Sequence, residues 1–288
     1  MHILVTGATG FIGRAVVEEA LARGHEVTAL ARNVQKAQEL THVSCKNLHI
    51  DIIPSLDAFS PQEGYDRLIH FAWDGSYKYA DPNALLINLN PQFSFLSRMV
   101  KAGISDITVA GTCQEYGMRE GKLSEGMEPA PGTYYALAKV TLYNMLRVLQ
   151  ESGADFRLKW LRYFYVYGEN QRPSSLYPQL LSAIARKDQN FDMSPGDQER
   201  DFFPVENLAR NTLAIAEQIR TTGIINVGSG RAQKVADFAR AIMRKKGHEM
   251  TLNCGHYPYP AYEPFSFYAD VLRLREIEGA DILPAEAA

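Results

Sequence analysis

The sequence predicts an α/β protein, a doubly wound parallel sheet with helices on both faces and a smaller region interleaved toward the C-terminus. Three observations predict it. Short apolar runs alternate with segments of helical spacing, a glycine-rich turn joins the first run to the first helix, and two long irregular stretches follow the later runs.

Taken in order, Ile3-Leu4-Val5 is the first strand, broken by Thr6-Gly7, and Phe11 to Arg23 carries apolar residues at helical spacing. Val27-Thr28-Ala29-Leu30 follows a Gly24-His25 turn as the second strand. A third run ends at His49-Ile50-Asp51, a fourth is Leu68-Ile69-His70-Phe71-Ala72, and a fifth is Ile107-Thr108-Val109-Ala110. Leu158 to Phe164 is the sixth, and Ile224-Ile225-Asn226-Val227 is a later addition to the same sheet. Between about 168 and 204 the pattern dissolves into Pro, Gly, Gln and Asp around one helix, Tyr177 to Arg186, and 253–264 is rich in Tyr and Pro. Ligands of open parallel sheets bind outside the carboxyl ends of the strands, so these insertions are expected to cap a substrate.

Composition narrows the function. The 30 basic and 33 acidic residues leave a net charge of −3, which argues against a nucleic-acid groove or an anionic membrane surface. No apolar stretch reaches the roughly 20 residues that span a bilayer. The chain opens directly on an apolar run with no charged leader, so a soluble, reducing, cytoplasmic setting is expected. Three cysteines, Cys45, Cys113 and Cys254, have no Cys-x-x-Cys spacing and argue against a disulfide framework or a zinc site.

Thr6-Gly7-Ala8-Thr9-Gly10-Phe11-Ile12-Gly13 sets glycines three apart between a strand and a helix. The first permits a sharp turn, the second lets the backbone approach a pyrophosphate, and the third allows close helix packing, with phosphate at the positive helix end. Thr6, Gly7, Thr9, Gly10, Phe11, Ile12 and Gly13 are therefore candidate dinucleotide-binding residues. The second strand ends in Leu30-Ala31-Arg32-Asn33, without the acid that usually bonds an NAD ribose. Arg32 is either a partner for a 2′-phosphate, which favours NADP(H) over NAD(H), or a solvated arginine at a helix start. Asp51-Ile52 is either a partner for the adenine amine or a simple turn.

Tyr135 and Lys139, in Gly132-Thr133-Tyr134-Tyr135-Ala136-Leu137-Ala138-Lys139, stand four apart on one helix face. A nearby ammonium is expected to lower the tyrosine pKa and ready it for acid-base work, and the lysine has the reach to hold a nicotinamide ribose. Tyr134 is five residues from Lys139 and a poorer match. Thr112, at the carboxyl end of the fifth strand, can share a substrate oxygen with Tyr135.

Glycine turn, strand-end Thr112 and Tyr135-Lys139 in this order resemble the extended short-chain dehydrogenase/reductase family, in its nucleotide-sugar epimerase, dehydratase and reductase branch. Asp66 to Ala72, Asn88, Arg162-Tyr163-Phe164-Tyr165-Val166-Tyr167-Gly168, Gly196 to Asn207 and Asn226-Val227-Gly228-Ser229-Gly230 are similar to further family segments. The resemblance implies a Rossmann-type unit over 1–167, to which 204–228 returns, and a substrate-binding region of 168–203 and 229–288. It adds Phe71 and Ala72 to the cofactor residues, Cys113 and Gln114 to the substrate residues, and Arg200 as a contact for the substrate diphosphate, with a surface ion pair as the alternative for that arginine. Tyr165 stands where relatives often have asparagine, and that contact is not carried over. It further implies a homodimer through helices around Asn88–Val100 and Tyr135–Glu151, although a helix packed only on its own sheet has the same pattern.

A dehydratase of this family needs an Asp-Glu pair directly after the catalytic residue, and Cys113-Gln114 stands there. Hydride chemistry remains. The segment Gly111 to Met118 with Leu123-Ser124-Glu125 is similar to reductases of dTDP- or CDP-linked 4-keto-6-deoxyhexoses, including dTDP-6-deoxy-L-talose 4-dehydrogenases. The alternatives are an NAD-retaining nucleotide-sugar 4-epimerase and a noncatalytic NADP(H)-binding redox sensor.

Overall fold

Seven parallel strands form the central sheet of the computed structural model, which describes residues 1–40, 46–61, 64–75, 79–259, 262–277 and 279. Cys45 lies outside the described residues. The strands are β1 (His2–Thr6), β2 (Glu26–Ala31), β3 (Leu48–Ile52), β4 (Arg67–His70), β5 (Asp106–Thr112), β6 (Arg157–Tyr163) and β7 (Gly223–Val227). Their spatial order is β7-β6-β5-β4-β1-β2-β3, so winding reverses between β1 and β4. In open α/β sheets such a reversal is where ligands bind, beyond the carboxyl ends of the strands.

Eight helices accompany the described strands: α1 (Phe11–Ala22), α2 (Val34–Leu40), α3 (Asn83–Lys101), α4 (Tyr134–Glu151), α5 (Leu176–Arg186), α6 (Val205–Glu217), α7 (Val235–Lys245) and α8 (Leu272–Arg275). Successive strand side chains point to opposite faces. Ile3 and Val5 pack with Val16, Val17 and Ala20 of α1 and Leu213 of α6. Leu4 goes the other way, into a core with Phe95 and Leu96 of α3 and Leu142 and Leu146 of α4. Both faces are covered, which is why the strands read as unbroken apolar runs. Two expected strands end earlier, since Phe71, Ala72 and Phe164 lie beyond the ladders.

The stretches that read as irregular contain short strand pairs. Asn190–Met193 runs parallel to Thr251–Cys254, and Phe202–Pro204 parallel to Tyr165–Tyr167. Glu199–Arg200 is antiparallel to Gln233–Lys234, while Phe267–Ala269 runs parallel to Gly121–Leu123. Strands of two to four residues are too short to leave a period in the sequence. Between them, buried Asp201 accepts hydrogen bonds from Ser229 N at 2.7 Å, Ser229 Oγ at 2.6 Å, Gly230 N at 3.0 Å and Ala269 N at 3.0 Å. One carboxylate thus ties the turn after β7 to the last short strand. No described helix is long and apolar enough to cross a membrane.

The glycine turn is packed to its limit. Gly7 has φ +64°, and a Cβ there would lie 2.7 Å from Ala72 N; a Cβ at Gly13 would lie 2.2 Å from Gly7 O. Gly13→Ala should therefore cost about 1–3 kcal/mol as an overpacked site. Gly126→Ala, whose Cβ meets nothing within 4 Å, should stay within about 0.5 kcal/mol of wild type. Urea unfolding midpoints of the two variants check the difference.

Candidate active site

The cofactor candidates converge on the reversal between β1 and β4. Gly10 N donates to Gly7 O at 2.9 Å, and α1 begins at Phe11 with no side chain capping its first amides. These N–H groups, at the positive helix end and beside glycines with no side chains, fit a pyrophosphate. Thr6 Oγ1 accepts from Ala72 N at 3.2 Å and bonds His70 Nδ1 at 2.8 Å. His70 Nε2 meets Gln92 Oε1 at 2.6 Å. An amide oxygen only accepts, so Nε2 carries the proton and Nδ1 accepts from the Thr6 hydroxyl. Burial, then the charge of Lys139, pushes the His70 pKa down to about 3, which keeps the ring neutral.

At the far wall, Arg32 forks onto Asp74, Nη1 to Oδ2 at 2.9 Å and Nη2 to Oδ1 at 2.5 Å. The side chains are 60% and 46% exposed, so water competes for both partners. Arg32 is thus placed at the groove but already holds an anion of the protein's own. Asp51 and Ile52 end β3, in register with Leu30 and Ala31, and are exposed.

Thr112, Tyr135 and Lys139 lie close together at the end of β5 and the start of α4. Thr112 ends β5, and its Oγ1 accepts from Gln114 N at 3.3 Å. Thr133 caps α4 by accepting from Ala136 N at 3.2 Å, which sets the first turn so that Tyr135 lies beside Thr112. Tyr134 is 45% exposed and Tyr116 donates to Asn226 Oδ1 at 2.7 Å, so neither competes for this place. Lys139 is buried, donates to Ala110 O at 2.7 Å and lies 3.8 Å over the Trp73 ring.

The expected activation of the tyrosine by the lysine is corrected by this geometry. Burial dominates and pushes the Tyr135 pKa well up, with Tyr79, Glu115 and Cys113 adding to it and the nearby Thr112 hydroxyl opposing. Lys139, 6.0 Å from the ring centroid, is itself pushed down to about 7 by burial, with Glu115 opposing. The phenol is held in its proton-carrying form.

Cys113 and Gln114 line a cavity of about 260 Å³ with Thr133, Tyr165, Glu263 and Phe267. Burial raises the Cys113 thiol pKa, so it stays protonated. Arg200 differs from expectation. Its guanidinium is buried, with Nη1 donating to Glu199 O at 2.7 Å and Phe265 O at 3.0 Å, and Nη2 to Glu263 Oε2 at 2.9 Å. Instead of an open contact for a diphosphate, it binds the cavity wall.

Sequence reasoning missed Trp73, Tyr79, Glu115 and Glu263. Trp73 and Tyr79 pack on Tyr135 with centroids 6.0 and 5.6 Å apart. Only Glu115 had a signal, since Thr112-Cys113-Gln114-Glu115 has capping-box spacing and forms that cap.

Residues 3–228 match the NAD dependent epimerase/dehydratase family. A dTDP-6-deoxy-L-talose 4-dehydrogenase (NAD(+)) of Aggregatibacter actinomycetemcomitans is 26% identical, the alignment covering 93% of this chain and 99% of that protein. A UDP-glucose 4-epimerase of Neisseria meningitidis serogroup C is 26% identical over 93% of this chain and 88% of its own length. The UDP-glucuronic acid 4-epimerase of Bacillus cereus, solved with UDP-glucuronic acid and NAD, superposes with a TM-score of 0.84 at 21% identity, covering 99% of this chain and 95% of that one, a likeness of fold.

The neutral His70 gives a pH test. Its folded pKa of about 3 lies below the ordinary 6.5, so across that window the unfolded chain binds more protons and stability is lost as pH falls. Urea midpoints should drop between those values, and His70→Asn should flatten that limb.

Proposed function

The chain belongs to the NAD dependent epimerase/dehydratase family, and from that premise we propose that it reduces the 4-keto group of a dTDP- or CDP-linked 6-deoxyhexose, with Tyr135 as proton donor. The observation that carries this reading is Thr112 at the end of β5 with Tyr135 beside it, followed by Cys113 and Gln114 where dehydration would require two carboxyl groups. When bound, the nicotinamide supplies hydride chemistry. The chain's own part is to bind and polarise the carbonyl. Thr112 Oγ1 accepts from Gln114 N and keeps its proton to donate to a carbonyl oxygen, and the neutral Tyr135 phenol provides the proton that oxygen takes up. Lys139, held beneath by Ala110 O, has further N–H donors for ribose hydroxyls. The activity by which the Aggregatibacter relative is named, dehydrogenation of dTDP-6-deoxy-L-talose at C4, is this reaction written in reverse and supports the reading.

Thr6, Gly7, Thr9, Gly10, Phe11, Ile12, Gly13, Asp51, Ile52, Phe71 and Ala72, with Tyr135 and Lys139, are the proposed cofactor contacts, in a unit over 1–167 with 204–228. Arg32 is proposed to exchange Asp74 for a 2′-phosphate, giving preference for NADP(H) over NAD(H); an exposed ion pair costs little to break. Apolar Leu86, Ile87, Leu137 and Val148 are exposed on α3 and α4 and support a homodimer through these helices.

With a dTDP-4-keto-6-deoxyhexose the enzyme should consume one reduced nicotinamide per sugar, and Tyr135→Phe should lower kcat about 100-fold or more with cofactor affinity little changed. Interconversion of UDP-glucose and UDP-galactose without net cofactor use would replace this reading with the epimerase one.

In fluorescence titrations NADPH should bind more tightly than NADH, and Arg32→Ala should weaken NADPH alone. Equal loss for both would assign Arg32 to the shared diphosphate or the fold.

A further inference from the structure

Glu115 lies under the carboxyl end of β5 and has no exposure to water. Its Oε1 accepts from Thr112 N at 2.9 Å and Trp160 Nε1 at 2.9 Å; its Oε2 accepts from Arg162 Nε at 2.7 Å and lies 3.2 Å from Trp160 Nε1. The backbone is pressed against this carboxylate, for a Cβ at Gly111 would lie 2.4 Å from Trp160 Nε1 and 2.7 Å from Glu115 Oε1. Lys139 Nζ is anchored one residue earlier on the same strand, at Ala110 O.

We propose that Glu115 is a positioning residue of the reaction, fixing Thr112 through its backbone and standing as an anion behind the Tyr135–Lys139 pair. The proposal rests on the reading of Tyr135 as the proton donor with Lys139 beside it. Tyr135 is faced by Tyr79 from the loop before α3, by Thr112, Cys113 and Glu115 from the end of β5, and by Lys139 on its own helix. Lys139 is faced by Glu115, Trp73 and the neutral His70. Glu115 is the carboxylate in both sets. Its charge favours ammonium over amine at Lys139 and phenol over phenolate at Tyr135, so it acts toward the protonated form of each. A doubly protonated pair is the form that gives a proton to a carbonyl oxygen. Oxidation of an alcohol needs the phenolate, which the same charge opposes.

A cap alone needs only an acceptor, and glutamine supplies one. That separates the two roles. In Glu115→Gln the basic limb of the kcat/KM profile for carbonyl reduction should move down by about one pH unit, the lower end of what a neighbouring charge does. The Lys139 signal in ¹³C-lysine NMR of the free protein, assigned with Lys139→Met, should titrate at correspondingly lower pH. Glu115→Gln leaves Arg162 buried without its anion, so Glu115→Gln/Arg162→Met, which removes the whole ion pair, is measured alongside. The same shift is expected in the double variant. Profiles and Lys139 titrations that superpose on wild type in whichever variants fold would overturn the proposal and leave Glu115 a cap. Tyr135→Phe is run in parallel: if it stays active, the acid-base reading has failed, whereas an inactive Tyr135→Phe with unshifted Glu115 variants is a failure of this proposal alone.

Discussion

A buried carboxylate must be surrounded by donors, and much of the carboxyl edge of this sheet is arranged by that requirement. Where strands of a parallel sheet end, their backbone amides lose ladder partners and loops leave in different directions. Two carboxylates collect these amides. Glu115 takes Thr112 N together with Trp160 and Arg162 of the neighbouring strand, and Asp201 takes Ser229, Gly230 and Ala269. At the opposite edge Asp106 does the same for Lys159 and Arg157, at 2.7 and 2.8 Å. Truncating such a group strands its partners, a penalty of about 3–5 kcal/mol where one of them is a buried charge.

The same economy of partners sets the electrostatics of the site. Burial acts in opposite senses on an acid that ionises to an anion and a base that protonates to a cation, raising Tyr135 and lowering Lys139. Unopposed, it would leave both neutral. Glu115 opposes burial at the lysine and reinforces it at the tyrosine, so one carboxylate separates the two protonation states without touching either group through a hydrogen bond.

What the sequence made legible follows from range. Strand runs and the glycine spacing are local, and Tyr135 and Lys139 meet because a helix repeats every 3.6 residues. Thr112 was readable as a strand end. The partners that decide what each group does come from elsewhere in the chain. Glu115 finds Arg162 across 47 residues, and Arg200 finds Glu263 across 63, so the ion-pair alternative for Arg200 is met by a partner that only the fold brings near. Lys139 was expected to bias Tyr135, but burial is the larger influence there, and the lysine itself donates to Ala110 O over the Trp73 face. Fold class and the three central residues were within reach of pattern; pKa order and arginine partners depend on packing that pattern does not carry.

Neutral His70 shows how such partners extend the site beyond the reacting groups. Its proton, fixed on Nε2 by Gln92, makes Nδ1 an acceptor and so orients the Thr6 hydroxyl, leaving the Thr6 oxygen free to accept from Ala72 N. Gln92 approaches Asn88 Oδ1 at 3.5 Å, the weakest link, and Asn88 holds both backbone groups of Asp74, whose carboxylate holds Arg32. The floor of the glycine turn and the far wall of the groove are thereby joined through α3 by a chain of directed bonds. Protonating His70 would turn Nδ1 into a donor and force the Thr6 hydroxyl to rotate. It would also set a second cation near Lys139, so the low pKa of the histidine protects both the orientation of the groove and the charge of the lysine.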